Sequence, residues 1–379
     1  MISVLPIGEE EARRAMTSRG GFLWWYLDLT DRRGNGAVVI WSYGLPFLPG
    51  YAEAARRGRA PRAEERPSLN VAVYEEGELD CYLLQEYSPD QVEWEPASDV
   101  WIFGESRLRR ERRDGSCRIT ADLDCPVPGA SERLRGELTV TGTSWSPAST
   151  AEHGSETNAH RWEPLALGGT GSMGLEFGDR SYEAQGRGYH DANGGTVPLH
   201  ELGIRQWMWG RVPLPDRELI YYILWSDDDG EQASERFIFE VGADGSVRRH
   251  DDIEVSLSDS RVNLGGMRWW RRLALDPGRE SGLDEVALTH RGVVDSGPFY
   301  MRFLSSTDDE AAPTPGFSEL IRPHRVDLGR HRPLVRMRVH DAGPRPAARN
   351  SMWLPLFTGP KKGRLARLIR YNLAGTTIS

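Results

Sequence analysis

Short apolar runs rich in aromatic and β-branched residues recur along the chain, separated by Gly, Pro, Asp or Asn, and each predicts a strand. In the first half they fall at residues 21–30 (GFLWWYLDLT), 37–43 (AVVIWSY), 69–74, 81–87, 116–123, 134–141, 175–177 and 182–191. In the second half they fall at 204–212, 218–226, 236–241, 265–273, 284–289 and 334–339. Helical patterning is confined to residues 9–19, 48–57 and the tail 361–373. Strands at such regular spacing predict an all-β protein built of antiparallel sandwiches or barrels. Two polar, turn-rich tracts, SWSPASTAEHGSETN at 144–158 and ANGGTVPLHE at 192–201, read as loops. We place the domain boundary near residue 200, giving β-domains over 1–200 and 201–379. A length of 379 residues agrees with two domains.

Composition sharpens this picture in two ways. The chain has 41 Gly, 24 Pro and 13 Trp, so turns are plentiful and large flat apolar surfaces must be accommodated. Its net charge of −9 is unevenly spread: residues 322–379 carry 13 Lys+Arg against 2 Asp+Glu, a net of +11, which leaves −20 for the rest. Of the 47 basic residues 45 are Arg, which accords with a coding bias. A basic end on an acidic body also suits contact with anionic lipid, and the segment GRLARLIRY at 363–371 separates Arg364, Arg367 and Arg370 from Leu365, Leu368 and Ile369 on a helix. An ordinary amphipathic helix packed on the second domain explains the same pattern. Nucleic acid is not an expected partner, because no recognition motif accompanies the basic stretch.

Cys81, Cys117 and Cys125 are odd in number and lack CxxC spacing, which argues for a reducing compartment and against structural zinc. The first residues lack a basic and apolar leader, and no stretch approaches 18 apolar residues. The expectation is a cytoplasmic protein that is soluble or peripheral on a membrane. The run GTGSMG at 169–174 satisfies GxGxxG, but no strand–turn–helix context surrounds it. The nine His are dispersed, so no metal site is expected.

Strand geometry brings other residues together, because positions i and i+2 share a face. In GRGYHD at 186–191, Tyr189 and Asp191 lie on one side and His190 on the other; in HRW at 160–162, His160 and Trp162 lie opposite Arg161. If both strands face one cavity, a carboxyl, a phenol, an imidazole and an indole line it, with Asn193 on the same face. Otherwise Asp191 starts a turn at Asn193-Gly194-Gly195 and His160 is a buried structural histidine. Trp24 with Tyr26, and Trp207 with Trp209, offer apolar walls for a long guest, unless they serve only as core.

These segments, together with LPFLPGYAEAARRG, PSLNVAVY, RWWRR and DSGPFYMRFL, resemble in order the carotenoid 1,2-hydratase family, also called hydroxyneurosporene synthases, and its lipocalin-like superfamily. The likeness spans about residues 20–304. It implies two lipocalin-like domains in tandem, a cavity at or between them, no metal or organic cofactor, and hydration of the terminal C1=C2 bond of an acyclic carotenoid. The family's HRW and GYxDxN residues match His160, Trp162, Tyr189 and Asp191. The chain departs from the hydratases at His190 and Ala192, where they carry an apolar residue and a serine. That departure is closer to superfamily members that cyclise polyenes as pericyclases, so an apolar polyene is the expected substrate under either reading. A carrier without chemistry is a third possibility.

The chemistry asked of such a site follows from the reaction. Protonating an alkene needs a strong acid and a stabilised cation. Asp191, desolvated among aromatic groups, suits the acid. Tyr189 or His160 would orient or reprotonate it, or activate the water, and the Trp162 face would stabilise the cation.

Overall fold

The computed structural model describes residues 2–44, 47, 50–145, 160–226, 233–251, 253–278, 281–307, 314–326, 328–342 and 350–375. The first strands are β1 (Ile2–Val4), β2 (Phe22–Thr30), β3 (Gly36–Tyr43), β4 (Pro67–Glu75), β5 (Glu78–Glu86) and β6 (Val92–Glu95). They are followed by β7 (Val100–Phe103), β8 (Ser106–Arg113), β9 (Ser116–Pro126), β10 (Arg133–Thr143), β11 (His160–Phe177) and β12 (Arg180–Gly195). Then come β13 (Ile204–Pro213), β14 (Arg217–Ser226), β15 (Glu235–Gly242), β16 (Val247–Asp251), β17 (Glu254–Val262), β18 (Arg268–Asp276), β19 (Val286–Ser296), β20 (Tyr300–Thr307) and β21 (Gly316–Ile321). The described chain ends with the two-residue strands β22 (His340–Asp341) and β23 (Gly359–Pro360). Helices α1 (Glu9–Thr17), α2 (Tyr51–Arg56), α3 (Arg332–Arg336), α4 (Leu354–Phe357) and α5 (Arg364–Gly375) decorate the sheets.

Two curled sheets result, antiparallel except where β1 joins β11 and β22 joins β5. The first runs β22-β5-β4-β3-β2-β12-β11-β10-β9-β8-β7-β6 and the second β16-β15-β14-β13-β21-β20-β19-β18-β17. The sheet changes between Gly195 and Ile204. Beyond β21 the chain returns to the first sheet, where β22 and β23 pair with β5.

Three apolar layers follow from the strand period. In β2 every residue is buried: Leu23, Trp25, Leu27 and Leu29 fill the inside of the first sheet, while Phe22, Trp24 and Tyr26 face the second. A strand covered on both faces reads as a continuous apolar run, which explains GFLWWYLDLT. β13 does the same for the second sheet, with Trp207 and Trp209 toward the first sheet and Met208 and Val212 toward the inner core. The middle layer, between the sheets, holds the site.

A fully buried charge cluster links the sheets across that layer. Arg211 on β13 donates from Nε to Asp28 Oδ1 (2.8 Å), from Nη1 to Glu218 Oε1 (3.0 Å), and from Nη2 to Thr30 Oγ1 (3.2 Å) and the Arg187 carbonyl (2.9 Å). Asp28 also accepts from the Tyr26 hydroxyl at 3.0 Å. Burial pushes the Asp28 carboxyl up to about 6, against the pull of Arg211.

Several sequence expectations are corrected. Residues 334–339 lie in and after helix α3, not in a strand, because Pro333 occupies the first helical turn, where its fixed φ fits and its missing N–H costs nothing. Residues 192–195, read as loop, complete β12. The short strands expected around 175–177 and 182–191 are parts of two long ones. Strands β1, β6 to β8, β16, β17, β20 and β21 were not expected; in β8, the charged outward residues of SRLRRERR mask its inward alternation. Residues 146–158 of the first polar tract lie outside the described residues.

Candidate active site

Strands β11 and β12 run side by side with Trp162 opposite Asn193 and Pro164 opposite Asp191. Pro164 has no N–H for the ladder, and the register shifts just after it. Farther along, the glycines of GTGSMG let strands approach closely: a Cβ on Gly171 would lie 2.0 Å from the Thr139 carbonyl. The GxGxxG run is therefore ordinary strand here, as its sequence context indicates. Asp191 starts no turn, since the Asn193-Gly194-Gly195 stretch is strand paired with Trp24, Leu23 and Phe22.

The expected face forms. Asp191 Oδ2 accepts hydrogen bonds from Trp162 Nε1 (2.7 Å) and the Tyr189 hydroxyl (2.9 Å), and Oδ1 accepts from Asn193 Nδ2 (2.8 Å). His160 does not reach Asp191 directly; its Nε2 donates to Asn193 Oδ1 at 2.9 Å, and Asn193 relays the contact. Burial pulls His160 down to about 4, so it is neutral and holds its proton on Nε2 for Asn193. The His160 ring is edge-packed by Phe22, Trp24 and Trp207.

Asp191 is pushed up to about 7, chiefly by burial; the Trp162 and Tyr189 bonds pull it back, and the charges of Glu319 and Asp28 push it further up. Its three bonded partners are neutral donors, so no cation holds it ionised. A carboxyl in this setting holds its proton to higher pH than an exposed one.

Asp191, Trp162 and Asn193 open into a cavity of about 740 Å³ between the sheets. Trp24, Tyr26, Trp207 and Trp209 line it too, so every proposed apolar wall faces it, whereas Tyr189 and His160 stand behind the lining. The mouth is bordered by Leu264, Leu334 and Phe357, which are exposed. His190 and Ala192 point the other way, into the core of the first sheet; His190 Nδ1 donates to the Tyr26 carbonyl at 2.8 Å. Where the chain departs from the hydratase pattern, it thus does so on the face away from the cavity.

Sequence reasoning missed several lining residues. Tyr222 packs on Trp162 with ring centroids 5.4 Å apart, and its hydroxyl, like the Trp209 indole N–H, is buried without a partner among the described residues. Glu319 on β21 accepts from Arg302 Nε (2.9 Å) and the Tyr300 hydroxyl (2.5 Å). A lone Glu in GFSELI carries no spacing signal toward Asp191; only the sheet pairing brings it in. Among the described residues, no group of three or more His, Cys, Asp or Glu is placed to hold a metal ion.

The profile of the carotenoid hydratase CrtC family matches residues 39–349, a span that includes all of His160, Trp162, Tyr189, Asp191 and Asn193. The chain belongs to this family. This CrtC-family protein is 24% identical over 332 residues to the hydroxyneurosporene dehydrogenase of Chlorobaculum tepidum, covering 83% of this chain and 86% of that one. It is 28% identical to the acyclic carotenoid 1,2-hydratase of Cereibacter sphaeroides over 79% of this chain and 97% of that one. With the acyclic carotenoid 1,2-hydratase of Thiocapsa roseopersicina it shares 27% identity, over 76% of this chain but only 65% of the relative. Among solved structures, a protein of Nitrosomonas europaea assigned as AttH aligns with a TM-score of 0.54 and 14% identity, covering 80% of this chain and 94% of that one. CghA in complex with Sch210972 aligns at 0.50 and 13%, covering 80% and 88%. These likenesses show the fold of the CrtC-family chain, two lipocalin-like β-units.

Proposed function

We propose that the protein adds water across the terminal C1=C2 bond of an acyclic carotenoid or related terpenoid, with Asp191 as the acid. The observation that carries this reading is a buried carboxyl, fixed by Trp162, Tyr189 and Asn193, at the wall of an aromatic cavity where burial favours its protonated form. The Asp191 proton passes to C2, and the π pair forms the new C–H bond. The tertiary cation at C1 then lies among the indole and phenol faces of Trp162, Trp209 and Tyr26, an attraction worth roughly 2 kcal/mol per desolvated ring. Water closes the C1–O bond and loses a proton, giving the tertiary alcohol. The step as written calls on no cofactor. Tyr189 and Asn193 hold the carboxyl in place, and neutral His160 fixes the orientation of the Asn193 amide.

We also propose that the cavity mouth rests on a lipid surface, where such substrates reside. Helix α5 buries Arg367 (2% exposed), whose guanidinium caps the carbonyls of Thr358 and Lys362 at 3.1 and 2.9 Å, and exposes Leu365 (70%), Ile369 (61%) and Leu373 (64%). Helix α4, which carries the exposed cavity-lining Phe357, packs against α5, and Lys361, Lys362 and Arg370 are exposed nearby in the chain. No helix among the described residues is long and apolar enough to cross a membrane.

Incubation with neurosporene or lycopene in labelled water, followed by mass spectrometry, tests the reaction. A gain of one labelled water supports hydration. An unchanged mass with a new retention time would instead mean cyclisation, and binding without change a carrier.

A further inference from the structure

The cavity holds a second carboxyl in a different electrostatic setting, on the opposite sheet. Asp191 is the cross-strand partner of Tyr26, and Glu319 is the cross-strand partner of Trp209. The Tyr26 and Trp209 rings meet across the layer with centroids 5.0 Å apart, and Trp209 touches Tyr189 at the same separation. Directly paired strand residues keep their Cβ atoms about 5 Å apart. The two carboxyls therefore flank one aromatic contact, and both line the same cavity.

Their chemistry differs. Asp191 is bonded only by neutral donors, whereas Glu319 forms a buried ion pair with Arg302 at 2.9 Å, and Arg302 is anchored in turn by the Tyr74 hydroxyl at 2.6 Å. Both contacts of Glu319 fall on Oε1, and Oε2 has no protein partner among the described residues. The cross-strand partner of Glu319, Trp209, forms part of the same cavity wall. A carboxylate oxygen in the cavity lining with no protein donor on it is a place for a water to donate.

We infer that Glu319 is the base for the attacking water, across the cavity from Asp191. This inference rests on the hydration reading. Once the Asp191 proton has gone to C2, a lone pair of the water oxygen forms the bond to C1, and one water proton moves to Glu319 Oε2. The products are the tertiary alcohol, ionised Asp191 and protonated Glu319. Proton exchange with solvent returns Glu319 to carboxylate and Asp191 to acid, so the cycle balances with water as the only added reactant. Splitting acid and base between two carboxyls whose surroundings differ is a general route to running both roles at one pH.

The test is incubation of wild type and Glu319→Gln with neurosporene in deuterium oxide, reading both alcohol formed and deuterium in the recovered alkene. Wild type should give mostly alcohol. Glu319→Gln should lose alcohol formation by about 100-fold or more, yet return alkene carrying deuterium, because Asp191 still forms the cation and retrieves a proton when water fails to add. Alcohol at the wild-type rate, or loss of both alcohol and exchange in a variant with native circular dichroism, would overturn the assignment. If Glu319→Gln does not fold, the double variant Arg302→Met with Glu319→Gln removes both charges of the buried pair and is read the same way. Wild type that yields neither alcohol nor exchange would sink the hydration reading itself, a distinct result.

Discussion

The indole N–H of Trp162 donates to Asp191 Oδ2 over 2.7 Å from the neighbouring strand, so the residue best placed to face a cation also restrains the acid that would create it. The two are diagonal partners, Trp162 lying opposite Asn193 and Asp191 two positions on. The bond favours the ionised carboxyl and works against burial, which wins and pushes Asp191 up to about 7.

The sign of the pH dependence follows. The step needs the protonated carboxyl, so hydration should fall as pH rises through about 7. Trp162→Phe removes a donor that favours the anion and should move this limb to higher pH while lowering the maximal rate. A pH–rate profile of both proteins checks it; a limb that moves to lower pH contradicts the hydrogen-bond account.

Ser42 lines the cavity opposite Trp24 and shares a 2.7 Å hydrogen bond with Ser68. Ser42→Phe should fill this region and weaken polyene binding about tenfold or more, a change of about 1.4 kcal/mol, at a folding cost of about 1–3 kcal/mol from overpacking. Fluorescence titration and urea unfolding measure the two effects separately.

Arg211 holds Asp28 and Glu218 from opposite sheets with all three side chains buried. Arg211→Met strands two carboxylates in the middle layer and should cost about 3–5 kcal/mol in denaturant unfolding. A loss within the range of surface substitutions would show that the cluster does not hold the sheets together.

The exposed stripe on α5 makes a prediction about lipid. The full chain should float with vesicles of anionic lipid, and Leu365→Glu with Ile369→Glu should abolish flotation without changing thermal unfolding, because both side chains are exposed. Flotation equal to wild type would place any lipid contact elsewhere.

Much of this was legible in the sequence because strand period 2 is so simple. It placed Tyr189 with Asp191, His160 with Trp162, and Trp24 with Tyr26, and each pair shares a face. What the period could not show is which distant strand lies opposite. Glu319 and Asp191 come together only through the facing of β13 on β2. Asp28 did carry a signal, a lone charge inside GFLWWYLDLT, but nothing in the sequence names Arg211 as its partner. The run LVRMRV at 334–339 alternates like a strand, yet Pro333 and local helix bonds decide its form.

The central claim, that Asp191 supplies the proton, is tested most directly by incubating wild type and Asp191→Asn with an acyclic carotenoid in labelled water. The asparagine can still accept from Trp162 and Tyr189, so the variant should fold. The account expects wild type to return carotenoid heavier by one labelled water, and the variant to return substrate unchanged, with turnover lower by about 100-fold or more. Hydration by the folded variant at the wild-type rate would contradict it.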